Sequence, residues 1–189
     1  MIAFQNKIHG YLLEISFAAK AGIVAIIAAK FLLPVMLVKY PFIAGWANFV
    51  LDTVDGDLLI PLGLENETYQ PIDKAADWVT YVFMVVAAWK ADWPILKWVV
   101  GLFVLRTVGQ ILFFITNNEA IFFYFPNFLE PLFLIYATIL FFKKDLAPQV
   151  FRKWQIPIAV FIFVYKMQDE YITHISNTDR SELIQGWFS

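Results

Sequence analysis

"VLDTVDGDLLI" (50–60) decides how the rest of the chain is read. It lies in a run apolar enough to cross a bilayer, yet it carries Asp52, Asp55 and Asp57 within two helical turns. A charged side chain at bilayer depth is expensive unless it faces a cavity or a partner. The stretch therefore predicts a helix whose acidic side is turned inward, away from lipid.

Working outward, the composition supplies a bundle around that helix. Of 189 residues, 60% are hydrophobic, 19% aromatic and 16% charged, and the mean hydropathy is +0.65. These values predict an all-α integral membrane protein, and the alternating ten-residue segments of a transmembrane barrel are missing. Pro, Gly and charge divide the chain into about six spans, roughly 21–38, 42–62, 72–90, 95–116, 120–142 and 156–173. They form a single helical domain over 1–189, preceded by an amphipathic segment at about 3–18 that is expected to be retained and to lie along the interface. The absence of cysteine excludes disulfides, cysteine-ligated zinc and iron–sulfur clusters, and His9 and His174 leave little room for haem. A net charge of -2 with no basic tail predicts no nucleic-acid partner. The aromatic run "AIFFYFPNFLEPLFLIYATILFF" (120–142) reads as lipid or subunit contact surface. Pro126 and Pro131 predict a kink there, with Asn127 and Glu130 facing a vestibule or the freed backbone groups.

In a six-span serpentine the acids gather at one end. Asp52, Asp55 and Asp57 fall on the latter half of span two, Asp73 and Asp77 at the start of span three, and "TNNEA" (116–120) at the end of span four. Span six ends in "VYKMQDEYITH" (164–174), which sets Lys166, Glu170 and His174 on one helical face with Asp169 beside it. Arg106 lies about midway along span four. Together these residues predict a water-filled vestibule. Arg106, Lys74 and Lys166 either pair with carboxylates to hold helices together or contact a ligand. The surplus of carboxylates calls for a divalent ion with oxygen ligands, or for protonation.

The acids also have a spacing. From Asp52 the chain reads D-x-x-D-G, Asp73 follows Asp55 by eighteen residues, and "IDKAADW" (72–78) adds Asp77 four further on. This resembles the CDP-alcohol phosphotransferase family, whose signature D-x-x-D-G-x-x-A-R, eight residues, G-x-x-x-D-x-x-x-D lies on the second and third of six transmembrane helices. The resemblance implies a membrane-embedded transferase of phospholipid biosynthesis, moving a substituted phosphate from a CDP-linked lipid or polyol to a small alcohol. It implies that Asp52, Asp55 and Asp73, with Asp77, hold divalent ions (Mg²⁺ or Mn²⁺), that Asp77 is the general base, that Gly56 shapes the substrate pocket, and that the protein is a homodimer. The match covers mainly 50–78 and is incomplete: Leu59 and Ile60 stand where the family has Ala-Arg, and Tyr69 where it has its second glycine. Asp57 falls outside the pattern and, with Asp169, Glu170 and His174, is an accessory candidate. Arg106 and Lys166 are candidates for an acceptor phosphate without motif support.

Orientation draws two opposite expectations. Lys39, Lys90, Lys97, Lys143, Lys144, Arg152 and Lys153 fall in the loops after spans one, three and five, against Lys7, Lys20, Lys74 and Arg180 on the acid-lined side. The positive-inside rule then turns the acids away from the cytoplasm, whereas the family resemblance turns them toward it. The competing functional class is a non-catalytic membrane-complex subunit or ion-handling protein with a carboxylate-lined cation or proton site. A transporter is less favoured because no internal repeat is present.

Overall fold

The computed structural model describes residues 16–174, and among them every regular element is helical. In chain order these are α1 (Phe17–Leu32), continued by a 3-10 segment (Leu33–Val38), α2 (Pro41–Leu59), α3 (Asn66–Lys90), α4 (Leu96–Thr116), the single turn α5 (Ile121–Tyr124), α6 (Leu129–Phe142), a 3-10 turn (Lys144–Leu146) and α7 (Ala147–His174). All but the end of the amphipathic segment expected at 3–18 lies outside the described residues, as does the side chain of His174. The chain divides into two compact units, one running to Phe83 and the other from Met84.

In the first unit, local signals set each helix end. Ser16 caps α1, its Oγ accepting from the Ala19 N–H at 3.2 Å. Pro41 opens α2, where its missing N–H leaves nothing unsatisfied. Beyond α2, Gly63 takes φ 102°, and the Leu64 N–H reaches back to the Leu59 carbonyl at 3.1 Å. The chain can then turn into α3, where the N–H groups of Thr68 and Tyr69 in its first turn donate to the Glu65 carbonyl. Along α2 the buried residues Ala44, Asn48, Asp55 and Leu59 recur at helical period, so Asp55 is on the packed face. Along α3 the buried stripe runs Asp73, Ala76, Asp77, Thr80, Tyr81. Both helices thus bury acids on the face that also carries their apolar packing.

The second unit is built on aromatic packing. Trp93 meets Phe133 and Tyr136 with ring centroids 4.9 and 4.8 Å apart, and Tyr136 meets Phe151 at 5.5 Å. The span expected over 120–142 is not one helix. α5 stops at Tyr124 and α6 starts at Leu129, because Pro126 lacks the N–H that would continue the ladder. The broken segment packs tightly on α4: a Cβ at Gly109 would sit 2.5 Å from the Phe125 Cβ, so only glycine fits. Among the described residues, Phe17–Val38 and Leu96–Thr116 are long and apolar enough to cross a membrane, and Leu129–Phe142 is apolar but shorter.

Candidate functional site

Asp52 and Asp55 lie one turn apart on α2, and Asp73 comes from the early part of α3. Each offers a carboxylate oxygen, and the three oxygens lie within 4.8 Å of one another. Asp55 is fully buried and Asp73 nearly so, while the Asp52 side chain is 40% exposed, so the cluster reaches the surface of the unit at Asp52.

A lysine already sits among them. Lys30, in the last turn of α1, is buried, and its Nζ donates to Asp52 Oδ1 at 3.1 Å and to the carboxylates of Asp55 and Asp73. Three ammonium hydrogens thereby meet three carboxylates. The second oxygens of Asp55 and Asp73 are also engaged. Asp55 Oδ1 accepts from the Gly56 N–H at 2.8 Å and from the Tyr69 hydroxyl at 2.9 Å. Asp73 Oδ2 accepts from Lys74 Nζ at 2.7 Å, and the same Nζ lies 3.9 Å from Asp77 Oδ2. Four aspartates and two lysines leave this group a formal charge of -2. Buried charges of this kind are tolerated only when paired and hydrogen-bonded.

The oxygen set fits a hard divalent cation, because carboxylate oxygens at about 2.0–2.6 Å from an ion fall within such mutual distances. Lys30 donates to one carboxylate oxygen of each of the same three residues, so a cation bound there would have to compete with the ammonium. Gly56 has a definite packing role: a Cβ there would lie 3.2 Å from the Tyr69 Oη. The absent side chain lets the phenol close on Asp55. At the other departures from the motif, Leu59 is buried in the core and Ile60 is exposed. Asp57 is exposed on α2 and is not among the three converging carboxylates.

Arg106, Lys166, Asp169 and Glu170 belong to the second unit, where they form their own cluster. Arg106 Nη1 donates to the Phe125 carbonyl at 2.9 Å and lies 3.5 Å from Glu170 Oε1, which accepts from the Asn127 N–H at 2.8 Å. The guanidinium also lies over the Phe122 ring, 4.2 Å from its centroid. Lys166 pairs with Asp169 and lies 3.9 Å from Glu170. Asn127 Nδ2 donates to Glu130 Oε2 at 3.2 Å, and the Glu130 N–H returns to Asn127 Oδ1 at 3.3 Å. The break at Pro126 frees backbone groups in an apolar setting, and Arg106 and Glu170 meet two of them.

Lys30 and Tyr69 are the site residues that motif reading passed over. Lys30 is one of two lysines, with Lys20, in the apolar stretch "FAAKAGIVAIIAAKFL" (17–32), and the need of a buried lysine for carboxylate partners was its available signal. Tyr69 stood out in the sequence only as a missing glycine. No protein-family model matches this chain, and no curated protein and no solved structure matches it either.

Proposed function

We propose that the chain is an integral membrane protein of about six spans whose aspartate cluster takes a divalent cation, Mg²⁺ or Mn²⁺, and transfers a substituted phosphate from a CDP-linked donor to an alcohol. The observation that carries the reading is the approach of Asp52, Asp55 and Asp73 to within 4.8 Å of one another, with Asp77 one turn beyond Asp73. Membrane insertion draws support from the two long apolar stretches and from large apolar side chains on the surface, among them Phe17, Ile115, Ile156 and Phe142. In water such a surface would drive aggregation.

A bound divalent cation would supply Lewis-acid polarisation of the donor diphosphate. Asp52, Asp55 and Asp73 would hold the cation, with Lys30 giving up its hydrogen bonds to their carboxylates. Asp77 accepts the proton of the attacking hydroxyl as the acceptor oxygen bonds to phosphorus and the bond to the leaving CMP breaks. Lys74, beside both Asp73 and Asp77, holds the two carboxylates in place. Arg106 and Lys166 are assigned no step, because their geometry is accounted for by the helix break and the acids of α7.

Lys30 also supports a second reading, a non-catalytic membrane subunit or ion-handling protein in which the ammonium is the permanent counter-charge. Tyr69 favours it too, since a phenol bound to Asp55 stands where the resembled motif has a glycine. Release of CMP from a CDP-linked donor by the purified chain, with Mg²⁺ or Mn²⁺ and a panel of acceptor alcohols, separates the two. EDTA-sensitive release supports the transferase. Cation binding without release or cytidine nucleotide binding leaves the ion-site protein.

A further inference from the structure

The second unit carries an apolar groove of about 500 Å³, walled by Trp98 and Leu102 of α4, Leu132 of α6 and Phe151, Ala159 and Phe163 of α7. At one end Phe163 stacks on Phe128, their centroids 6.0 Å apart. From Phe151 to Phe163 the helix rises about 18 Å. That is close to the depth of one leaflet, half of a hydrocarbon core of about 30 Å.

The other end has a different character. The contacts among Trp93, Tyr136 and Phe151 bring the start of α4, the second half of α6 and the start of α7 to one end of this unit. Lys97, Arg152 and Lys153 are exposed in the first turns of α4 and α7, and Lys90, Lys143 and Lys144 are exposed at the end of α3 and just after α6, against Asp92 and Asp145 in the adjoining loops. Six cations against two acids leave a formal +4. Trp89, Trp98 and Trp154 are exposed in the same segments, as in the aromatic belt of a membrane interface.

We propose that this groove seats one acyl chain of an anionic phospholipid, whose headgroup phosphate is held by the basic end, chiefly by Arg152, Lys153 and Lys97. Arg152 and Lys153 directly follow the groove residue Phe151, and Lys97 directly precedes Trp98. A zwitterionic lipid would fill the apolar part but leave the +4 end without its complement. A free anion would meet the charge and leave the groove empty. The inference rests on the membrane reading above and is independent of phosphate transfer.

Native mass spectrometry of the full chain in detergent, titrated with phosphatidylglycerol or phosphatidylcholine of identical chains, tests it. A one-to-one phosphatidylglycerol adduct is expected at roughly thirty-fold lower lipid concentration than the phosphatidylcholine adduct, as two basic residues near an anionic group require. R152Q with K153Q, both exposed, should bring the two lipids within about three-fold of each other. A159W, which places an indole in the groove from an exposed position, should weaken both. Equal binding of the two lipids by wild type, or an unchanged preference in the double variant, overturns the proposal. So does A159W binding both lipids as wild type does. Extraction of native membranes with alkaline carbonate keeps the two failures apart: release of the chain refutes membrane insertion and the groove together, whereas a retained chain without lipid preference refutes only the groove.

Discussion

Lys30→Met keeps the length of the side chain and removes the charge that Asp52, Asp55 and Asp73 share. The formal charge of the cluster falls from -2 to -3, with Lys74 as its remaining cation. Removing one partner of a buried ion pair typically costs about 3–5 kcal/mol, because the other partner stays buried and uncompensated. For a chain of this size each kcal/mol shifts the thermal midpoint by about 2–4 °C, so K30M should melt roughly 6–20 °C below wild type in EDTA. A divalent ion entering the vacated position at a hundred times its dissociation constant returns about 2.7 kcal/mol, or roughly 5–11 °C. Tryptophan-fluorescence melting in detergent, in EDTA and with Mg²⁺, Mn²⁺ or Na⁺ at matched ionic strength, reads both effects. Divalent ions should rescue the variant specifically and shift wild type less, since Lys30 competes there. A variant that melts with wild type, or that Na⁺ rescues as well as Mn²⁺, refutes the idea that ammonium and ion compete for these carboxylates.

Asp77→Asn preserves shape but not proton acceptance, so CMP release should fall by about 10²–10⁴-fold with the thermal midpoint little changed. Rebuilding the family's Ala-Arg pair with Leu59→Ala and Ile60→Arg should strengthen cytidine nucleotide binding, measured by calorimetry. Because Leu59 is buried, it should also destabilise by about 2–5 kcal/mol, read by the same melts. Cysteines at Glu67 and Lys144, labelled in intact cells with an impermeant maleimide, fix orientation. Exterior labelling at 67 agrees with the lysine bias, and exterior labelling at 144 with a cytoplasmic transferase site.

The carboxylate part of the site was legible because helical spacing is a local code: acids three or four apart share a face, and "LDTVDG" and "IDKAAD" carry that spacing openly. Helical class was legible for the same reason, from apolar runs too long for strands. Lys30 was not legible, because its relation to Asp52, Asp55 and Asp73 is purely tertiary and no spacing rule links α1 to α2 and α3. Tyr69 illustrates the limit of motif reading. As a letter it is a lost glycine, whereas in space its hydroxyl is a donor to Asp55 that Gly56 makes room for. The break at 125–128 was half visible: Pro126 announced a kink, but the reach of Arg106 and Glu170 to Phe125 and Asn127 depends on packing between helices distant in sequence.

The most direct test of the account is a crystal structure of the chain soaked with Mn²⁺ and a cytidine nucleotide, with anomalous scattering to locate the metal. Manganese is expected on oxygens of Asp52, Asp55 and Asp73, with Lys30 Nζ displaced from all three and Asp77 facing the bound phosphate. Lys30 still held by the three carboxylates, with no anomalous peak between them at saturating Mn²⁺, would contradict it.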